Sequence, residues 1–221
     1  MTTAGLIAKK IGMTRMIDPQ GRVTAVTLLQ IEQQKVTKKL TLEKDGYEAF
    51  QVGYDVKRAK HLSKADLGRL NKASVEEKFS KFREFRVPSG ISSPELGCSL
   101  EIEALEGVTA IDVTGITKGR GFSGAHVRWN SAVGRMSHGS RFHRSPGSLG
   151  MRSTPGKVMK NRHQPGQYGA EQITLLNLDV LDLDKDSKVI AVRGSVPGHK
   201  DGFLVIRPSI KTRNSKVATK S

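Results

Sequence analysis

Between Lys118 and Ala170 the chain carries ten Lys and Arg and no Asp or Glu. The ten are Lys118, Arg120, Arg128, Arg135, Arg141, Arg144, Arg152, Lys157, Lys160 and Arg162, and His126, His138, His143 and His163 lie among them. This composition suits a polyanion: Arg and Lys neutralise phosphates, and Arg adds bidentate contacts and stacking on bases. Phe122, Trp129, Phe142, Tyr168 and the histidines can stack on unpaired bases. Glycines such as Gly147 and Gly150 let the backbone approach a sugar-phosphate chain closely. A solvated basic linker is the plainer alternative, but the preference for Arg and the scattered aromatics argue against it. Lys9, Lys10 and Arg15 form a smaller basic group near the start of the chain.

Other chemistries fit less well. Gly119-Arg120-Gly121-Phe122-Ser123-Gly124 matches G-x-G-x-x-G after an expected strand, yet dinucleotide binding also needs a following helix and an acid about 20 residues on. The sequence suggests no helix there, and the next acid is Glu171. The four histidines have no neighbouring carboxylate and only Cys98 as a thiolate, so no metal site is expected. The same lack of acids excludes an oriented Ser/His/Asp set. Glu76-Glu77 and the Asp182/Asp184 pair read as solvated surface. Thr154-Pro155-Gly156-Lys157 lacks the rest of a phosphate-binding loop of the Walker type. No catalytic residue, cofactor or small-molecule substrate is expected.

The elements that must hold the basic stretch lie on either side of it. Its own apolar residues follow neither a two-residue nor a 3.6-residue period, so it has no face to bury and is not expected to fold alone. Loops longer than about 15 residues are uncommon in compact domains unless functional or disordered. Val108 to Ile116 before it and Gln172 to Asp182 after it are strand-like, which makes it an arm tethered at both ends to a folded body.

With 221 residues the chain can hold one large or two small domains. Of its 37 Lys and Arg, 27 lie outside the arm against 21 Asp and Glu, so most of the net charge of +16 belongs to the arm. That asymmetry, with an isoelectric point near 10.1, points to nucleic acid. It does not suit a membrane surface, since no basic amphipathic helix accompanies it. A single cysteine, Cys98, leaves no internal disulfide and fits a reducing compartment. No stretch reaches transmembrane length, and no secretory or transit composition opens the chain. A cytoplasmic location is therefore expected.

In chain order, Leu6-Ile7 and Met13 to Ile17 are expected strands. Asp18-Pro19-Gln20-Gly21 suits a type I turn into a strand from Val23 to Ile31. A second hairpin follows from Val36 to Leu42 and Tyr47 to Val56, where Phe50, Val52, Tyr54 and Val56 alternate with other residues. Ser63 and Asp66 form a capping box, with Leu62 and Leu67 at the staple positions, so a helix begins near Lys64. Val75, Phe79 and Phe82 continue at helical spacing, and these phenylalanines read as core more readily than as a base-stacking platform. Pro88 to Pro94 is an expected loop. Leu96 to Glu103, Val108 to Ile116, Ile173 to Leu178, Val180 to Leu183, Val189 to Val192 and Phe203 to Arg207 are expected strands, and Asp184 to Ser187 a turn. Short, evenly spaced strands with Gly/Pro turns indicate a closed antiparallel barrel. The tail from Lys211 is basic.

Several motifs carry a resemblance. Gly5-Leu6-Ile7-Ala8-Lys9-Lys10-Ile11-Gly12-Met13-Thr14, Asp112-Val113-Thr114-Gly115-Ile116-Thr117-Lys118-Gly119-Arg120-Gly121-Phe122-Ser123-Gly124 and Ser137-His138-Gly139-Ser140 resemble the universal family of large-subunit ribosomal protein three. So do His143-Arg144-Ser145-Pro146-Gly147-Ser148, Thr154-Pro155-Gly156-Lys157-Val158 and Pro165-Gly166-Gln167-Tyr168-Gly169. The resemblance implies a six-stranded barrel of the translation-protein type, a smaller α+β insertion and a long extension reaching toward the peptidyl transferase centre. It implies an early role in subunit assembly, with large-subunit ribosomal RNA and neighbouring ribosomal proteins as partners. It further implies a location in the ribosome, in an organelle's stroma or matrix if the gene is organellar. Met151, Arg152 and Ser153 stand where bacterial relatives carry glutamines, one of them methylated, so that modification is not expected here.

Together these observations predict a mainly β protein with an α+β insertion: a closed six-stranded translation-protein-type barrel plus a long irregular basic arm. The expected divisions are barrel in 1–56, insertion in 57–95, barrel strands in 96–117, arm in 118–170, barrel in 171–210 and basic tail in 211–221. The expected function is RNA binding without catalysis. An RNA-processing or RNA-modifying enzyme gripping substrate with the arm, and a DNA-binding architectural protein, are the alternatives. An enzyme would need a cleft with a perturbed acid or nucleophile, and a DNA reader usually presents a helix or paired ribbon to a groove. Ser145-Pro146-Gly147-Ser148 and Thr154-Pro155-Gly156-Lys157 each place Pro before Gly, as type II turns do, so 146–157 is the expected tip of the arm.

Overall fold

The computed structural model describes residues 5–17, 20–87 and 93–211. The turn expected at Asp18-Pro19, most of the 88–94 loop and the tail beyond Lys211 lie outside the described residues. Two units divide the chain, Met1–Ile116 with Ile173–Ser221, and Thr117–Gln172.

In the first unit, antiparallel strands β1 (Leu6–Ile17), β2 (Val23–Ile31), β6 (Ala110–Ile116), β9 (Gln172–Asp184), β10 (Val189–Arg193) and β11 (Phe203–Pro208) share one sheet. Its order is β1-β11-β6-β9-β10-β2, and β2 also pairs with β1. Alternation along each strand sends Leu6, Ala8, Leu29, Ile31, Ile111, Val113, Ile190, Val192, Leu204 and Ile206 into one core. Burying each of the larger aliphatic side chains contributes roughly 1.5–3 kcal/mol.

A second sheet consists of β3 (Lys35–Leu40), β4 (Ala49–Val56) and β5 (Phe79–Arg86), in that order. Between β3 and β4 lies the short helix α1 (Leu42–Asp45), and between β4 and β5 lies α2 (Lys64–Lys72). The α2 N-terminus follows the expected capping chemistry: the Ser63 hydroxyl accepts from the Asp66 backbone N–H at 3.2 Å. Phe50, Phe85, Val36 and Val52 form a second core with Ile7 of β1, while Leu70, Val75 and Phe79 form a third beside α2.

Several expected elements take other forms. Leu6-Ile7 and Met13 to Ile17 belong to one strand, whose register shifts between Lys10 and Gly12, so a bulge replaces the expected break. The second hairpin, expected with the barrel in 1–56, pairs instead with β5, because an alternating pattern marks a strand without naming its partner. The helical spacing of Phe79 and Phe82 is superseded by strand β5, in which Phe79 faces Val56 and Phe85 faces Phe50. Phe79 and Phe85 are buried, as their reading as core requires. The expected strand from Leu96 to Glu103 reduces to a bridge between Lys35 and Ser99 and a 3₁₀ turn at Ile102–Leu105. The two strands expected between 173 and 183 are one strand, β9, with Asn177 at φ +56° within it.

Candidate nucleic-acid interface

Strand β6 ends at Ile116 and β9 begins at Gln172, so the second unit is the whole excursion between them. Its two ends are tied together: the Thr117 N–H donates to the Glu171 carbonyl at 2.9 Å, and the Glu171 N–H donates to the Thr117 hydroxyl at 3.2 Å. Strands β7 (Gly121–Ser123) and β8 (Gly166–Tyr168) continue the pairing, followed by helix α3 (Ala125–Trp129). The expectation that this stretch has no structure of its own is therefore corrected at its base. A helix also follows Gly124, which the sequence did not suggest; its five residues are too few to build a dinucleotide site, and no acid follows it before Glu171.

A Cβ on Gly169 would lie 2.0 Å from the Lys118 carbonyl oxygen, so glycine is required where the incoming and outgoing strands touch. Gly134 is required in the same way, since a Cβ there would lie 2.0 Å from the Phe142 carbonyl. From residue 130 to 165 the backbone forms neither helix nor strand. Local contacts shape it. Gly134 N–H donates to the His143 carbonyl at 2.8 Å, and the His143 Nδ1 lies 3.0 Å from the Arg135 carbonyl. His138 and Gly139 both have positive φ, at +57° and +70°, as the central pair of a type I′ turn does.

The basic side chains are displayed outward. Lys118, Arg120, Arg135, Arg141, Arg144, Arg152, Lys157, Lys160 and Arg162 are exposed, and only Arg128 is half-buried. Glu171 is the one carboxylate in the unit's sequence, so these cations have almost no internal counter-charge. Two use aromatic faces: Arg120 lies 5.0 Å from the Tyr168 ring centre and Arg128 lies 4.9 Å from that of Trp129. Phe122 is 79% exposed on β7. Arg162 donates to the Ser148 carbonyl.

Some candidates are committed within the unit. Trp129 stacks on His163, with ring centres 4.6 Å apart and planes 3° from parallel, and its indole N–H donates to the Gln164 carbonyl at 3.0 Å. Arg128 donates to the same carbonyl at 3.3 Å. Sequence gave no sign of Gln164, because its contribution is a backbone oxygen. Both ring nitrogens of His126 are buried without a hydrogen-bond partner. In the first unit, Lys9 pairs with Glu32 at 3.4 Å and Asp201 at 3.8 Å. The Lys10 ammonium donates to the carbonyls of Val196 at 2.9 Å and Gly198 at 3.4 Å, while Arg15 is exposed.

The expected bend is present. Gly147 has φ +77°, as the third residue of a type II turn requires, and a Cβ on Gly150 would lie 3.6 Å from the Lys157 carbonyl, so the strip folds back. The second turn differs from expectation: the turned residues are 153–155 rather than the central pair Pro155-Gly156 of the expected quartet, and the Thr154–Pro155 peptide is cis. Gly156 follows with φ +65°.

The family described as Ribosomal protein L3 matches residues 102–191, a span that contains this whole unit. The chain is 40% identical over 212 residues to large ribosomal subunit protein uL3 of Chromohalobacter salexigens, covering 96% of this chain and 100% of that protein. Identity to the protein of the same name from Geotalea daltonii is 43% over 209 residues, covering 95% of this chain and 98% of the relative. The Azoarcus protein of that name is also 43% identical over 209 residues, with 94% and 98% covered. At this identity over nearly the full length, the chain belongs to the ribosomal protein L3 family, uL3.

Proposed function

We propose that this protein is a structural constituent of the large ribosomal subunit that binds its ribosomal RNA, stands beside neighbouring ribosomal proteins and catalyses nothing. The observation that carries this reading is the run of ten Lys and Arg between 118 and 170 with no acid among them, nine of the ten exposed. Such unpaired cations repel one another unless phosphates come between them. The six-stranded sheet acts as a closed barrel of the translation-protein type that docks on folded RNA. The α+β insertion projects from it.

The 117–172 unit serves as the arm: β7, β8 and α3 form its base, and 146–157 its tip, directed toward the peptidyl transferase centre. Gly147, Gly150 and Gly156 allow close approach of a sugar-phosphate backbone, with Arg144, Arg152 and Lys157 around them. Arg120, Phe122, Arg135, His138, Arg141, Lys160 and Arg162 contact RNA along the shaft, whereas Trp129, His163 and Arg128 keep the base in shape. Early binding by this arm nucleates subunit assembly in the cytoplasm, or in the organelle if the gene is organellar. Met151 to Ser153 lack the glutamines of bacterial relatives and carry no methylation.

A photo-cross-linker installed at Gly150 tests the reading. In assembled large subunits it should mark RNA lining the peptidyl transferase centre. Marking of peripheral RNA or solvent-side proteins alone would overturn the placement of the tip.

A further inference from the structure

Helix α3 carries a side chain whose polar atoms are buried and unmatched. Among the described residues, the buried side-chain polar atoms without a hydrogen-bond partner are Glu77 Oε2 and the two ring nitrogens of His126. Glu77 places its other oxygen 2.5 Å from the Lys35 ammonium and 2.9 Å from the Gln33 amide. His126 has no partner on either nitrogen. An imidazole carries at least one N–H donor in every tautomer, and a buried donor left unmatched destabilises the conformation that holds it.

The ring folds back over the start of the helix. Gly124, the N-cap, has φ −66° and ψ 160°, a backbone that any residue adopts, yet a Cβ there would lie 3.0 Å from both Cε1 and Nδ1 of His126. The two ends of α3 are held unequally. At the last turn Trp129 stacks on His163 and its indole N–H donates to the Gln164 carbonyl. The first turn has no side-chain cap, and the Val127 and Arg128 N–H groups share one acceptor, the Gly124 carbonyl, at 3.1 and 3.0 Å. A helix of five residues has little stability of its own, so the first turn can open for the loss of those two bonds while Trp129 stays fastened.

We propose that α3 is an RNA-driven latch: on docking, its first turn unwinds, His126 swings out, and the imidazole bonds a phosphate or ribose hydroxyl. Both are oxygens of the RNA backbone, and either satisfies the ring. In water alone, hydration of the ring is offset by the loss of the two backbone bonds and the exposure of Ala125, which is buried. RNA adds a contact that only the open form makes, and so shifts the balance. The inference rests on the reading of 117–172 as the RNA-binding unit, and it makes His126 a contact masked until docking.

The test is amide exchange of the full-length protein, free and bound to in vitro transcribed large-subunit ribosomal RNA, read residue by residue with mass spectrometry. On binding, residues 144–162 should slow. The Val127 and Arg128 amides should instead speed up by about tenfold, the scale of one buried polar group gained or lost. His126→Leu removes the unmatched nitrogens and suits a helix interior. In the free variant the same two amides should exchange about tenfold more slowly than in the wild type, and RNA should no longer speed them. The variant's affinity for the RNA should fall, which the loss of a ring serving only as filler would not cause.

Slowing of Val127 and Arg128 together with 144–162 on RNA binding would overturn the latch and leave the unit's RNA-binding role intact. Unchanged exchange at all of these positions would overturn that role, and the latch with it. Exchange in free His126→Leu as fast as in the wild type, or faster, would show that the ring already has a partner such as water, and would overturn the latch as well.

Discussion

The side-chain amide of Gln34 takes the place of a strand partner for Ile7. Its Oε1 accepts the Ile7 N–H at 3.0 Å and its Nε2 donates to the Ile7 carbonyl at 3.2 Å, one residue beyond the last β1–β2 pair, Ala8 with Ile31. On its other side Ile7 pairs with Val205 of β11. The amide is buried, so both backbone groups of Ile7 depend on it. Gln34→Ala leaves two buried polar groups unsatisfied and should cost about 2–6 kcal/mol, at roughly 1–3 kcal/mol for each. Urea denaturation of the purified protein measures the loss; a change below about 0.5 kcal/mol would show that water serves as well.

Gly169 governs the base of the 117–172 unit. Its φ of +71° is left-handed, and a Cβ there would collide with the Lys118 backbone carbonyl, which no rotamer change can relieve. Gly169→Ala should cost at least about 1–3 kcal/mol locally, the range for a strained backbone position. Limited proteolysis should then cut within 117–172 much faster than in the wild type, with the first unit's resistance unaltered.

Asp55 makes the second sheet sensitive to acid. Burial pushes its pKa up, but the Ser80 hydroxyl at 2.8 Å and the ammonium groups of Lys81 at 3.3 Å and Lys57 at 3.4 Å outweigh burial and hold it below the ordinary carboxylate value. Because the folded-state pKa is depressed, the stabilisation is fully present above the unfolded value of about 3.9 and is lost as pH falls through the folded value. Asp55→Asn, which tolerates the φ of +65° at this site, should remove that part of the acid limb. Stability measured from pH 6 down to pH 2 should fall less steeply in the variant; parallel curves would contradict the assignment.

Hydrogen exchange should divide the 117–172 unit. The amides of Thr117, Arg120, Val127, Arg128 and Glu171 are hydrogen-bonded at its base and should exchange slowly in the free protein. Residues 144–162 donate no backbone–backbone hydrogen bond outside regular elements and should exchange nearly as an unfolded chain does, until RNA is bound. Equal protection across the unit would show that the bend is rigid without RNA.

Strand existence was largely legible because alternation is a local property: β2 occupies the expected Val23–Ile31, and α2 starts at the expected capping serine. Partnership was not, because it depends on residues far apart in sequence; nothing in 36–56 distinguishes pairing with β5 from pairing within the larger sheet. Phe79 and Phe82 show how three-residue spacing in a short segment fits a helix or a strand until its pairing with Val56 and Gly53 decides. In the candidate site, charge was legible and allocation was not. Arg141, Arg144 and Arg152 are displayed as composition suggests, whereas Trp129 and His163 stack on each other and Lys10 binds backbone carbonyls.

The most direct measurement is sedimentation of the native protein through a sucrose gradient in moderate salt. It should travel with large ribosomal subunits and remain there after a wash that strips loosely bound cationic proteins, while a form lacking 130–165 should be released. Wild-type protein found at the top of the gradient, or spread equally over small subunits and free RNA, would contradict a role as a built-in constituent of the large subunit.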